Sequence, residues 1–302
     1  MSTFNYRNKN AILITALLLL PLVITGTWCT FTYQVNPQPS GQLTVMTYNI
    51  HEAFDVNNRL DLNGILISIE QSNPDVLVLQ EVDTGVIMSG TTDQARWLAQ
   101  KLNMFLAPIL SVNHIWQSDV ILSKYPIQYY EEIILHSPSE DDTLLRADIE
   151  VAEQQISVYA VHFSAFSSED RRIQADVAIP NVISTGSNIK IWAGDFNVDA
   201  YTTDSVDQGI YTDITNSLND SFEVALFLTG NLTWPSTGPY QRIDYVFVSP
   251  TITVLSHAVP TSLASDHLPV VTQLQIPTSP FNQKMQFSKI VVGLRVYDEE
   301  FD

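Results

Sequence analysis

Glu81 and Asp266 are hard oxygen donors, and Asn49 adds a neutral oxygen. Such a set suits Mg²⁺ or Mn²⁺ rather than a soft metal, which prefers thiolate. Asp195 can hold a water and take its proton. His162 and His267 can donate to phosphate oxygens or move protons. Asp244 can orient His267 and stabilise its charged form. Together these are the parts for metal-assisted attack of water on phosphorus.

Those residues need elements that bring them together. Apolar runs and turn residues predict strands over 43–50, 75–81, 118–127, 144–151, 155–163, 189–196, 242–249 and 268–276. Helical spacing predicts helices over 62–72, 93–102, 168–179 and 220–228. Ser167 or Ser168 caps the third, and Pro180 ends or kinks it. The stretches 84–92 and 199–219 read as loops.

Asn49, Glu81, His162 and the Asp195/Asn197 pair fall at strand ends. Asp244 opens a strand, and Asp266 and His267 precede one. Taken singly, an Asp-x-Asn after a strand makes an ordinary turn, because both side chains bond local backbone. Taken together, the polar groups can share one edge only if four strands run towards it and two run away. That demands mixed or antiparallel sheets. A doubly wound parallel sheet puts its site at strand C-termini alone.

Composition narrows the partner. The 302 residues hold 33 acidic against 14 basic groups, a net charge of −19. A surface so acidic repels phosphate backbones and argues against grip on duplex nucleic acid. The lone Cys29 excludes an intrachain disulfide and sits in an apolar segment.

That segment, 11–33, reads AILITALLLLPLVITGTWCTFTY and carries no formal charge. It is long enough to span a bilayer, with Trp28, Phe31 and Tyr33 at its far end as an interfacial belt. Arg7 and Lys9 keep residues 1–10 cytoplasmic, so the remainder emerges outside the cell or in a lumen. The alternative is a signal peptide cleaved near 25–27, which would release a secreted domain. Residues 34–42 read as a tether, 43–276 as one domain, and 277–302 as an extension containing a strand-like KIVVGLRVY.

Six segments in order, TYNIH (47–51), PDVLVLQEVD (74–83), VHF (161–163), GDFN (194–197), RIDYVF (242–247) and SDHLPV (265–270), resemble the endonuclease/exonuclease/phosphatase superfamily. The resemblance implies an α/β (α+β) four-layered sandwich of two mixed β-sheets flanked by helices, here preceded by one N-terminal transmembrane helix. It implies that Glu81 binds the metal beside Asn49, with Asp266 as the acidic residue near it. It gives Asp195 the attacking water, Asn197 and His162 the phosphate, and His267 the catalysis, with Asp244 as its partner. It treats Arg171 and Gln174 as ties between helix and loop, and Trp234 as part of the site rim. One departure stands out: Ser118-Asp119 replaces the family's Gly-Asn, which puts substrate contact there in doubt.

A narrower resemblance lies in TYNIHEAFDVNNRLDL, QEVD and DQARWLAQKLNM. These look like the lumenal domain of eukaryotic proteins that remodel the lipid of GPI anchors. The expectation is a membrane-anchored, Mg²⁺-dependent phosphodiesterase acting on a lipid headgroup or small phosphoester. A secreted or surface nuclease is the alternative within the same chemistry. A catalytically silent domain that binds lipid or glycan is the alternative outside it.

Overall fold

The computed structural model describes residues 41–107 and 118–277. The expected anchor, most of the tether and the C-terminal extension lie outside the described residues. Among the described residues, no helix is long and apolar enough to cross a membrane.

The strands are β1 (Gln42–Asn49), β2 (Val76–Val82), β3 (Phe105–Leu106), β4 (Ser118–Ser123), β5 (Ile127–His136), β6 (Asp141–Val151) and β7 (Gln154–His162), followed by β8 (Ile189–Asp195), β9 (Asn219–Asp220), β10 (Phe227–Thr229), β11 (Asp244–Val248), β12 (Thr253–Ala258) and β13 (Val270–Gln275). The helices are α1 (Leu62–Ser72), α2 (Gln94–Leu102), α3 (Ser168–Ser184), α4 (Ser205–Thr215) and α5 (Ser221–Val224). One sheet has seven strands in the order β10-β12-β13-β1-β2-β4-β3, and the other has six, β5-β6-β7-β8-β11-β9.

Side chains alternate along each strand, so each sheet has two apolar faces. Val45, Val78 and Ile121 pack against Ala147, Val158, Ile191 and Val246, forming the core between the sheets. Met46, Tyr48, Leu77 and Val120 face the other way, onto Ile65 and Ile69 of α1 and Leu98 of α2. Tyr159, Trp192 and Phe247 meet Ala178 and Val182 of α3 and Ile210 and Ile214 of α4. The molecule is therefore two mixed sheets face to face, with helices on both outer faces.

Strand direction matches the expectation. β1 is parallel to β2, and β7 to β8. β13 is antiparallel to β1, and β11 to β8. The ends of β1, β2, β7 and β8 and the starts of β11 and β13 thus share one edge.

Four readings need correction. Pro180 does not end α3, which runs on to Ser184. Val182 is buried in the core, so packing of the last turn carries the helix past the missing Pro180 N–H. The expected helix over 220–228 stops at Val224, and Phe227–Thr229 joins the edge of the seven-stranded sheet beside β12. Its apolar side chains Val224, Leu226, Phe227 and Leu228 are exposed, so no buried face sustains a longer helix. The expected loop over 199–219 contains α4, capped by Asp204, which accepts from the Val206 and Asp207 N–H groups. The expected strand over 118–127 ends at Ser123, and β5 begins separately at Ile127.

Candidate active site

Three of the predicted site residues sit side by side across the six-stranded sheet. His162 of β7 pairs in register with Asp195 of β8, and Asp195 with Asp244 of β11. Gly194 permits this closeness. A Cβ there would lie 1.9 Å from the Val161 carbonyl oxygen. From the facing sheet come Asn49 at the end of β1 and Glu81 near the end of β2. A bulge between Leu79 and Val82 breaks the β2–β4 register, and Glu81 takes a left-handed φ of 54°. The bulge re-aims one side chain at a strand end, as such irregularities commonly do next to active sites.

The two sheets meet at Asn49. Its Nδ2 donates to Glu81 Oε1 at 2.8 Å and to Asp195 Oδ2 at 3.1 Å. Its Oδ1 accepts the His51 N–H at 3.0 Å. The amide nitrogen, not the oxygen of the sequence expectation, therefore faces the carboxylates. Asp195 Oδ2 is also 3.7 Å from His162 Nε2 and 3.6 Å from His267 Nε2. One carboxylate oxygen is thus the focus of three nitrogens.

His267 turns its other ring nitrogen to Asp244, at 3.0 and 3.2 Å from the two oxygens. Burial alone would lower the His267 pKa, but Asp244, Asp195 and Asp266 carry it up to about 10. His162 is likewise held up to about 9, with burial opposed by Asp195, Glu81, Asp142 and Asp119. Burial pushes Asp244 upward, and its imidazolium partner opposes that rise. At neutral pH these neighbours hold both imidazoles protonated, facing carboxylates.

These groups open on a cavity of about 590 Å³, lined by Glu81, His162, Asp195, Asn197, Asp266 and His267, among others. Trp234 Nε1 donates to Asp266 Oδ2 at 3.2 Å, and His51 Nδ1 is 3.7 Å from Asp266 Oδ1. Asn197 is fixed by Nδ2 donating to Phe163 O at 2.8 Å. All eight predicted site residues therefore converge. Seven of them line the cavity or pair within it, and Asn49 clamps it from beneath.

The donors fit a hard divalent cation: Glu81, Asp195 and Asp266 present oxygen to one cavity without a thiolate. Asp195, Asp244 and His267 also place one ligand atom each within 4.8 Å of the others.

Two supporting residues complete the site. Gln94 is buried at the start of α2, accepts the Asp83 N–H at 3.0 Å and donates to Glu52 O at 2.7 Å. It ties the backbone just past Glu81 to the turn just past Asn49. Nothing in its spacing announced that role. Gln174 does the same work behind His162, accepting the Ser164 N–H and donating to Asp142 Oδ2, both at 2.7 Å. Arg171 bonds Ser164 O at 3.0 Å, so the expected helix-to-loop tie holds for both. Asp119 is buried with neither oxygen hydrogen-bonded, and burial pushes its carboxyl well above the usual range. It does not line the cavity.

The model of the family described as Endonuclease/Exonuclease/phosphatase family matches residues 46–267. The chain belongs to that family. Solved structures of the same fold include an endonuclease/exonuclease/phosphatase family protein from Bacteroides thetaiotaomicron, at 18% identity and TM-score 0.65, covering 78% of this chain and 98% of that one. Another is a mannosyl-6-phosphatase from the same organism, at 19% identity and TM-score 0.63, covering 77% and 99%. A humanized D. rerio TDP2 matches at 18% identity and TM-score 0.60, covering 78% and 99%. At these identities the likeness shows the fold. Members of the endonuclease/exonuclease/phosphatase family are generally phosphoester hydrolases and typically depend on a divalent metal.

Proposed function

We propose that this chain is a membrane-anchored, divalent-metal-dependent phosphodiesterase acting on a lipid headgroup or small phosphoester. The observation that carries the chemistry is the convergence of Asn49, His162 and His267 on Asp195 Oδ2. A carboxylate so placed holds an attacking water and takes its proton. Glu81, with Asp266, would hold Mg²⁺ or Mn²⁺, which would polarise a phosphate oxygen, and Asn49 fixes Glu81 by donating to its Oε1. His162 and Asn197 line the cavity beside Asp195 and can face the phosphate oxygens. His267, oriented by Asp244, stabilises charge growing on those oxygens.

The net charge of −19 supports a small or lipid-linked substrate over duplex nucleic acid. The uncharged apolar run 11–33 supports attachment to a membrane, with this domain outside the cell or in a lumen.

The test is hydrolysis of bis(p-nitrophenyl) phosphate by the full chain, with Mg²⁺ and with EDTA, followed by a panel of plasmid DNA, RNA, sphingomyelin and phosphoinositides. Activity should need the metal and should collapse in Asp195→Ala and His267→Ala. Full activity in both variants would sink the mechanism. Efficient DNA cleavage without lipid turnover would overturn the lipid preference.

A further inference from the structure

The loops at the two ends of the sandwich differ in what they expose. At the cavity edge, Ile87 and Met88 follow β2 and are 84% and 77% exposed. Phe166 follows β7 at 69%, and Tyr201 follows β8 at 56%. Tyr240 precedes β11 at 63%, and Leu263 precedes β13 at 60%. Five separate loops around one mouth thus each show at least one large apolar side chain to water. At the opposite edge, the turns at 73–75, 124–126, 152–153, 185–188 and 249–252 expose none. Tyr125 and Ile252, the large apolar residues there, are buried. The remaining exposed apolar side chains lie in and beside the cavity-edge turn at Leu60, on helix faces and at sheet edges.

A solvated loop gains nothing by displaying such side chains, and scattered single ones need no explanation. A ring confined to one edge, around a functional cavity, marks an interaction surface. Its charge says what kind. Arg59, already paired with Asp55 at 2.6 Å, is the one exposed Lys or Arg on the described cavity-edge loops. An anionic partner would find no cationic patch. Insertion of apolar and aromatic side chains into a neutral interface needs none.

We infer that this rim docks the cavity mouth onto a zwitterionic lipid surface, from which a lipid-borne phosphoester enters the site. The inference rests on reading the cavity as catalytic. Chain length allows it. β1 starts at the edge away from the cavity and spans about 26 Å to reach Asn49. The eight peptide steps from Tyr33 to Gly41 can span at most about 28 Å. A domain tethered at its base by that length can tip over and bring its rim down to the same bilayer.

The test uses the full chain reconstituted in phosphatidylcholine vesicles that contain brominated lipid. With Cys29→Ser as background, a fluorophore is attached through Met88→Cys, Phe166→Cys or Glu153→Cys. The lipid should quench the first two and leave the third, in the opposite-edge hairpin, unquenched. Quenching at the third position without the first two, or at none of them, overturns the proposal. A parent chain with no diesterase activity but with quenching at the rim would refute the catalytic reading and leave docking standing.

The second measurement is kinetic. Joint replacement Ile87→Ser, Met88→Ser and Phe166→Ser should slow hydrolysis of a long-chain alkyl p-nitrophenyl phosphate held in the vesicles by about tenfold or more, because partial burial of three apolar side chains is worth at least that in partitioning. Hydrolysis of soluble bis(p-nitrophenyl) phosphate should keep the parent rate. An unchanged vesicle rate, or an equal loss on the soluble diester, overturns the proposal.

Discussion

Asn49-Ile50-His51 on the seven-stranded sheet and Asp195-Phe196-Asn197 on the six-stranded sheet are built alike. In each, a side-chain oxygen of the first residue accepts the backbone N–H of the third, at 3.0 and 2.9 Å. The middle residue, Ile50 or Phe196, is buried in the helix-side core of its own sheet. The third residue turns left-handed, with φ of 48° for His51 and 50° for Asn197. The device is an Asx turn pinned by an apolar anchor. What differs is the load. One sheet presents an amide that donates, and the other presents a carboxylate that accepts. The turn after Asn49 is also the more strained: Glu52 and Ala53 continue left-handed, at φ of 53° and 66°. Such backbone persists only where its surroundings hold it. Here Gln94 holds the Glu52 carbonyl. The comparison teaches that the halves share a way of presenting groups and load it with opposite hydrogen-bonding character, which the proposed mechanism uses as a division of labour.

The position just before each turn gives the sharpest way to break that comparison. It is Tyr48 in one sheet and Gly194 in the other. Gly194→Ala should prevent folding, since its Cβ would overlap the Val161 carbonyl oxygen and part β7 from β8. Soluble yield and thermal melting would show this; an unchanged melt would refute the close approach. Next comes the division of labour. Asp195→Ala should lower kcat by about two to three powers of ten. Asn49→Ala should act mainly through a raised metal requirement. Metal-dependent kinetics on both variants check it, and the reverse pattern would dissolve the division.

The two glutamines allow a finer test. Gln94→Leu and Gln174→Leu should each cost about 1–3 kcal/mol, from the buried hydrogen bonds lost to Asp83 N and Glu52 O in one and to Ser164 N and Asp142 Oδ2 in the other. Gln94→Leu should also weaken metal affinity by about 10- to 100-fold, as losing support behind a ligand does. Gln174→Leu should raise KM and leave metal affinity alone. Calorimetric Mn²⁺ titration beside steady-state kinetics separates these outcomes.

The smallest effect concerns a third buried histidine. His257 of β12 shares a hydrogen bond with Ser221 Oγ at 2.9 Å and lies outside the cavity lining. Burial, aided by the Arg242 charge and opposed by Asp220, lowers its pKa to about 4. Between pH 6.5 and about 4 the unfolded chain binds the extra proton and the folded one does not. Stability from this residue is therefore complete above about pH 6.5 and declines as pH falls towards 4. The melting temperatures of the parent and His257→Gln should converge across that window. His162 and His267, raised to about 9 and about 10, contribute fully below about pH 6.5 and lose that contribution as pH rises instead.

Much of this was legible in the sequence where burial imposes a pattern. β1, β2, β7, β8 and β11 are buried along nearly their whole length, so their apolar runs mark them and their polar ends stand out. β5 was missed because it runs half-exposed at a sheet edge, where IQYYEEIILH has no clean alternation. β12 is a short strand with mixed exposure. α4 was hidden because its two buried anchors, Ile210 and Ile214, sit among polar residues. At the site, position at strand ends marked the groups that gather at the cavity but not those that hold them. Gln94 acts through backbone atoms of distant loops, and the three left-handed residues after Ile50 follow from packing. Neither leaves a periodicity to read.

The closure of β1 against β13 carries one more consequence. The Ile276 N–H donates to Gly41 O at 2.9 Å, so the described chain arrives and departs at a single point, on the edge away from the cavity. A sequence with that property can be rewired without disturbing its site. Joining 277 to 41 through a short Gly-Ser link and reopening the chain at the Ala152–Glu153 turn should give a circular permutant with the same fold and cavity. By the same logic, the whole sandwich could be grafted as an insert into a loop of another protein.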